Sequence, residues 1–223
     1  MTHERESKKV AIILSGCGVF DGSEIYETVL TLLRIDQNGA KYQCFAPDAP
    51  QYHALNYLTG EELAENRNML VEAARLARGD IKPLSELNST DFDALILPGG
   101  FGAAKNLCNF AVRGSEPMKV REDVTQAVQS FKAANKPVGL MCIAPVMAAA
   151  FFGEGVQCTI GSDPDTATAI TAFGAEHKEC PVHDVIVDEK HKLVTTPAYM
   201  LAHSISDAST GIFKLVDTVL ALS

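Results

Sequence analysis

Cys142 is the residue of this sequence best placed to act as a nucleophile. It follows the apolar run Val138–Met141 and precedes Ile143, Ala144, Pro145 and a helix-favouring segment. This order predicts a buried strand, a sharp turn and a helix start, which together expose a thiol and favour its thiolate form. We therefore predict a nucleophile elbow. An inert core thiol fits the same residues, because free cysteine is among the most buried residue types.

A glycine pair, Gly99 and Gly100, follows another apolar run. Only glycine lets backbone N–H groups turn toward a bound oxygen without a Cβ in the way. The N–H groups of Gly100 and Ile143 would form an oxyanion hole when the Cys142 thiolate adds to a carbonyl. An ordinary tight turn between a strand and a helix explains the same glycines.

Cys17 and Glu24 are two further candidates: Cys17 is in the loop after the first predicted strand, and Glu24 is in the first turn of the first predicted helix. A carboxyl of Glu24 buried beside Cys142 would have a raised pKa and would transfer a proton, although the helix dipole alone explains an acid in a first turn. Cys17 either resolves an oxidised Cys142 as a disulfide or only packs beneath the site.

Strands and helices alternate along the chain. We predict strands at 10–14, 42–46, 92–97, 138–142 and 158–160, and helices at 24–38, 65–78, 103–107, 120–135, 146–150, 166–173 and 202–222. Ser23 is the expected cap of the first helix. This alternation is typical of a doubly wound, mostly parallel α/β sheet, with a small antiparallel appendage at 185–187 and 192–195. The expected organisation is a charged tail at 1–9 and a single domain at 10–223.

Composition excludes several classes of function. The net charge of −9 over 223 residues argues against a nucleic-acid surface, and no apolar run is long enough to span a membrane. The six cysteines form no CxxC pair and the N-terminus shows no export signal, so we expect reduced thiols and a cytoplasmic location. The histidines lack paired-ligand spacing, so we expect no metal.

Four segments together resemble a known family: 13–24, 97–107, 139–145 and 194–201. They are similar to the ElbB group of bacterial proteins, in the PfpI/ThiJ branch of the class I glutamine amidotransferase-like superfamily. The resemblance implies a flavodoxin-like fold with helices on both faces, a homodimer, a link to isoprenoid biosynthesis, and a glyoxalase that converts glyoxal to glycolate without glutathione or another cofactor.

The resemblance also implies roles for individual residues. Cys142 would be the nucleophile, Glu24 its acid partner, and Gly100 and Ile143 the oxyanion donors. The pocket would further include the following residues: Cys17, Gly99, Asn106, Asp163 and Tyr199.

This chain departs from the superfamily pattern in three places. Ile143 stands where many members have histidine directly after the cysteine, and Asp163-Pro164 stands where relatives have His-Pro. The HxE tail of a glutamine amidotransferase triad is missing as well. The departures argue against a Cys-His-Glu amidase, and thus against a glutamine amidotransferase, and leave a Cys-Glu mechanism open.

Two hypotheses follow for the function. In the first, the protein is a glyoxalase-like lyase that acts on a small dicarbonyl or aldehyde through a hemithioacetal on Cys142. In the second, the same cysteine serves a redox or carbonyl-stress sensor, a protein deglycase or a non-catalytic partner protein.

Overall fold

A seven-stranded sheet forms the centre of the protein. The computed structural model describes residues 7–113 and 116–223, so residues 1–6 of the predicted charged tail lie outside the described part. The strands of the main sheet, in chain order, are β1 (Lys9–Ile13), β2 (Lys41–Ala46), β5 (Ile81–Pro83), β6 (Ala94–Leu97), β7 (Val138–Met141), β10 (Ile186–Asp188) and β11 (Leu193–Thr196). Their spatial order is β10-β11-β7-β6-β1-β2-β5, and all neighbours pair in parallel except β10 with β11.

Two small strand pairs lie outside the main sheet. The antiparallel pair consists of β3 (Ala54–Leu55) and β4 (Glu62–Leu63), and the parallel pair of β8 (Gln157–Cys158) and β9 (Glu176–His177).

Six α-helices surround the sheet in the described part of the chain: α1 (Ile25–Gln37), α2 (Met69–Leu76), α3 (Glu122–Ala133), α4 (Ala148–Phe152), α5 (Pro164–Ala172) and α6 (Ile205–Leu222). Helix α1 packs on α6, where Arg34 forms two hydrogen bonds with Asp217, and α3 packs on α4. The crossovers through α1 and α3 run in opposite directions along the sheet. Because such crossovers are right-handed, they place the two helices on opposite faces. The predicted doubly wound, flavodoxin-like fold is confirmed.

Several predicted elements differ in detail. The predicted appendage is partly wrong, since β11 lies inside the main sheet beside β7 and only β10 is antiparallel. The predicted helix at 103–107 is a π-helical turn, Ala103–Leu107. The helix predicted at 65–78 begins at Met69, because the Asn68 side chain caps it. The pairing of β3 with β4 was missed, since two-residue strands leave no periodic pattern.

The order in which the strands are added to the sheet reverses between two central parallel strands, β1 and β6. From β1 it continues to β2 and β5 on one side, and from β6 to β7 and β11 on the other. Strands β1, β6 and β7 are apolar runs with almost no exposure, as expected for strands covered on both faces. In open α/β sheets, ligands bind beyond the carboxyl ends of the strands at this reversal. The loop after β1, the glycine pair after β6 and Cys142 after β7 all lie at that edge.

Among the helices of the described residues, none combines the length and the apolar character needed to cross a membrane.

Candidate active site

Cys142 lies on a strained turn directly after β7. Its φ angle is 59°, in the left-handed region that is costly for a residue with a Cβ. Its N–H donates to the carbonyl oxygen of Thr196 at 3.1 Å, which anchors the turn to β11. The residue is 7 % exposed. The geometry is that of a nucleophile elbow, with the thiol almost completely buried.

Backbone N–H groups converge on the thiol from two loops. The N–H groups of Gly100 and Ile143 favour the charged form of Cys142 and lower its pKa, against the larger effect of burial. Gly100 has a φ of 88°, and a Cβ at Gly99 would lie 2.4 Å from the Cβ and 3.0 Å from the Sγ of Cys142. Glycine is therefore required at 99 by close approach and at 100 by conformation. The structure brings together the nucleophile and both predicted donors.

Glu27 is the acid that contacts the thiol. Its side chain is fully buried and lies against Cys142, since a Cβ at Gly99 would be 2.8 Å from the Glu27 Oε2 and 3.0 Å from the Cys142 Sγ. One carboxylate oxygen, Oε2, accepts the Gly99 N–H at 2.8 Å, and Oε1 accepts the Tyr199 N–H at 3.2 Å. Three elements, α1, the glycine loop and the turn after β11, thus hold this carboxyl in one position.

Burial controls the charge state of the pair. Burial raises the pKa of Glu27 to about 7, and the negative charge of Glu24 raises it further. The Cys142 thiol and the two backbone N–H donors partly oppose this and lower the pKa. Burial, followed by the charge of Glu27, raises the pKa of the Cys142 thiol well above its usual range. The resting thiol therefore keeps its proton, and Glu27 is the group that titrates near neutral pH.

The segment after Cys142 is a poor source of helix dipole. The residues that follow are a short 3₁₀ turn, Ala144–Met147, and then the five-residue α4. A dipole needs several aligned peptide units, so this segment offers little to oppose burial, which raises the pKa of the thiol. An adjacent base, rather than a preformed thiolate, has to activate this cysteine.

Glu24 does not occupy the position expected from the sequence. It is the N-cap of α1, and its Oε2 accepts the Glu27 N–H at 2.6 Å. The predicted cap, Ser23, instead accepts the N–H of Ser15 at 2.8 Å. Glu24 is buried, and burial raises its pKa, but its carboxyl is directed to its own helix.

The sequence contains one signal that would have pointed to Glu27. Thr31 and Ile35, one and two turns further along α1, are buried on the same helix face as Glu27. An acid on the face of a helix that packs against a sheet is unusual unless it is paired or functional. Reading the buried face of α1, rather than only its first turn, identifies the correct glutamate.

Cys17 has surroundings of its own. The thiol is half-buried, and burial raises its pKa, followed by the negative charge of Glu72. Glu72 is paired with Arg75 at 2.9 Å. In the described part of the chain no hydrogen bond joins Cys17 to Cys142, and the charged groups that act on the two thiols differ.

The other expected pocket residues have mainly structural contacts. The amide of Asn106 donates to the carbonyl oxygens of Ser15 and Asp21 at 2.8 and 2.9 Å, which braces the loop after β1. Asp163 caps α5 by accepting the Thr166 N–H at 2.9 Å. Tyr199 belongs to the site through its backbone, since its N–H binds Glu27.

A thiol on a strained turn at the reversal point of a parallel sheet, with a buried carboxyl against it, defines a class I glutamine amidotransferase-like domain. No family model matches the sequence. Individual relatives do: the human glutamine amidotransferase-like class 1 domain-containing protein 3, mitochondrial, is 44% identical over 229 residues, which cover 98% of this chain and 85% of the relative. The rat ES1 protein homolog, mitochondrial, has the same identity and coverage. The chain belongs to this family of glutamine amidotransferase-like class 1 domain proteins.

Solved structures agree with the sequence comparison. The crystal structure of an isoprenoid biosynthesis protein with amidotransferase-like domain from Ehrlichia chaffeensis is 33% identical, superposes with a TM-score of 0.90, and matches 97% of this chain and 99% of that one. Drosophila melanogaster DJ-1beta, at 16% identity and a TM-score of 0.55 over 97% of this chain and 96% of that one, shares the fold alone. The homodimer and the cytoplasmic location expected from the sequence stay predictions.

Proposed function

We propose that this protein is a cofactor-independent glyoxalase-type enzyme that converts glyoxal to glycolate through a hemithioacetal on Cys142. One observation carries the proposal: a buried carboxyl, Glu27, whose pKa is raised to about 7, lies against a thiol on a strained turn. A general base is most effective when its pKa lies near the working pH. Because Cys142 is almost completely buried, a small dicarbonyl is favoured as the substrate.

The first step forms the bond between sulfur and carbon. The Cys142 thiol gives its proton to the Glu27 carboxylate as Sγ adds to one aldehyde carbon of glyoxal. The negative charge that develops on the aldehyde oxygen is stabilised by the N–H groups of Gly100 and Ile143. Glu27 then passes the proton to that oxygen, which completes the hemithioacetal and restores the carboxylate.

The second step moves hydrogen between the two carbons. The Glu27 carboxylate removes the C–H proton of the hemithioacetal carbon while the neighbouring aldehyde oxygen takes up a proton, which gives an enediol. Glu27 then returns its proton to the neighbouring carbon while the hydroxyl on the sulfur-bearing carbon loses its proton, which gives the thioester of glycolate. Water then adds to the thioester carbonyl and Cys142 leaves as the thiol. The sum is glyoxal plus water giving glycolate, with no net oxidation and no cofactor.

A metabolic context accompanies the proposal. The Ehrlichia relative is described as an isoprenoid biosynthesis protein. We extend this association to the present chain as part of the proposal, with removal of reactive dicarbonyls as the activity.

Glycolate formation from glyoxal tests the proposal directly. We expect multiple turnovers by the wild type and a loss of at least about 10³-fold in Cys142→Ser, because a hydroxyl is a far poorer nucleophile here. Cys17→Ser is the matched control, a second cysteine at the same sheet edge, and should keep wild-type turnover. Consumption of only one equivalent of glyoxal by the wild type would contradict the proposal and favour a redox or carbonyl-stress sensor.

A further inference from the structure

A second cluster of reactive groups surrounds Lys105, on the π-helical turn after the glycine loop. The Lys105 Nζ donates to the carbonyl oxygen of Phe20 at 3.0 Å, lies 3.1 Å from Nε2 of His53, and is 5.1 Å from the centre of the Phe101 ring. Among the described residues, no carboxylate lies within ion-pair distance of this ammonium group. The half-buried amine is thus surrounded by a carbonyl, an imidazole and an aromatic face.

His53 is placed as a base for this amine. An ammonium group has only donors, so Nε2 of His53 accepts from Lys105 and the ring proton is on Nδ1. Nδ1 faces Oε2 of Glu62 at 3.7 Å, and the His53 side chain is only 12 % exposed. The amine and the imidazole are within hydrogen-bond distance, as a nucleophile and its base are in enzymes, while Glu62 is largely exposed and supplies only a nearby negative charge.

The environment also favours the uncharged amine. Burial lowers the pKa of Lys105 from its ordinary value, and the negative charge of Asp21 only partly opposes this effect. A lysine of this kind is more nucleophilic at neutral pH than a solvated one.

We propose that Lys105, with His53 as its base, forms an imine with aldehydes that have an apolar substituent. His53 takes a proton from the Lys105 ammonium, and the free amine adds to the aldehyde carbon to give a carbinolamine. The imidazolium returns its proton to the hydroxyl, which leaves as water. The products are a protonated imine and one water, and His53 is neutral again.

Exposed aromatic rings next to the amine set the class of aldehyde. Phe20, Tyr57 and Phe101 are each more than two-fifths exposed, and the rings of Phe20 and Tyr57 are 5.2 Å apart. An aromatic aldehyde would pack against these rings while its carbonyl carbon reaches the Lys105 Nζ. The reaction does not involve Cys142, so it goes beyond the proposed glyoxalase activity and is separable from it.

Reductive trapping tests the inference. The intact protein is incubated with benzaldehyde and cyanoborohydride near neutral pH, and each lysine's modification rate is read by peptide mass spectrometry. Lys132 is the matched control, because its Nζ also contacts a carbonyl and a phenyl ring, at 3.1 and 5.8 Å, but has no imidazole partner. We expect Lys105 to be modified at least about tenfold faster than Lys132, the lower end of the contribution of a positioned base.

Two variants separate the role of the base from the fold. His53→Gln keeps a polar side chain and should lower the Lys105 rate to that of Lys132, while the Lys132 rate and the thermal unfolding curve stay unchanged. Cys142→Ser should leave the Lys105 rate unchanged, even if it abolishes glyoxal turnover. Equal rates for Lys105 and Lys132 in the wild type, or an unchanged Lys105 rate in His53→Gln, would overturn the inference.

Discussion

Two cysteines lie at the same edge of the sheet, Cys142 directly after β7 and Cys17 in the loop after β1, yet their surroundings differ. Cys142 and Cys17 each lie near a buried glutamate that raises the pKa of the thiol, Glu27 in one case and Glu72 in the other. Glu72 is neutralised by Arg75, and Arg67 is also within ion-pair distance. Glu27 instead accepts hydrogen bonds from two backbone N–H groups and lies against the Cys142 thiol.

The difference shows which surroundings the proposed function requires of a cysteine. Nearness to an acid is not enough, since Glu72 shares its charge with arginine and has no hydrogen bond with Cys17 among the described contacts. Cys142 combines a strained backbone, two N–H donors on its sulfur and a base with a pKa near neutrality. The predictions below test whether these features separate the two regions in solution.

Replacement of the two glutamates should have the largest effect on the comparison. Glu27→Gln keeps the shape of the side chain but cannot accept the thiol proton, so glyoxal turnover should fall by about 10²- to 10⁴-fold. Glu72→Gln should keep turnover within about threefold, since its carboxylate serves an ion pair away from Cys142. The measurement is steady-state glycolate formation, with circular dichroism to verify that each variant is folded.

Glu24→Gln is a second control within the same helix. Glutamine still accepts the Glu27 N–H, so we expect most of the activity and a loss of stability of at most about 1 kcal/mol, the usual contribution of a cap. If Glu24→Gln lost turnover as severely as Glu27→Gln, the assignment of the base to Glu27 would have to be withdrawn.

The pH dependence of the reaction should report Glu27. Its carboxylate has to be ionised to accept the thiol proton, so kcat/KM for glyoxal should fall about tenfold per pH unit below the pKa of about 7 and level off above it. Glu27→Gln should lose this acidic limb. A profile of the wild type that is flat between pH 5.5 and 8 would show that another group activates Cys142.

The smallest expected effect concerns a disulfide between the two regions. Mild peroxide should not produce a Cys17–Cys142 peptide, because the thiols have separate surroundings and a disulfide requires Cα atoms within about 7 Å with converging Cβ atoms. Non-reducing peptide mapping decides the matter. Recovery of the cross-linked peptide as the main product would show that Cys17 and Cys142 share one site and that Cys17 acts as a resolving thiol.

Much of the architecture could be predicted from the sequence. The strands around Ile12, Ile96 and Leu140 are continuous apolar runs between turn residues, which is a local signal, and the helices between them follow from periodicity. The missed strands, β3, β4, β5 and β9, are two or three residues long, and the conformation of such short segments depends on their neighbours. The position of β11 inside the sheet depends on its pairing with β7, which no local pattern specifies.

The sequence by itself determined the fold class, the family and the elbow cysteine, because apolar periodicity, the glycine pair and the residues around Cys142 are encoded within short segments. Only the tertiary structure decided which acid meets the thiol. Glu24 and Glu27 are three residues apart, but Glu24 is the N-cap of α1 in an extended conformation and its carboxyl caps the helix, whereas Glu27 lies within the helix on its buried face. The same packing excludes water from Glu27 and thereby raises its pKa, an effect of burial that the order of residues does not reveal.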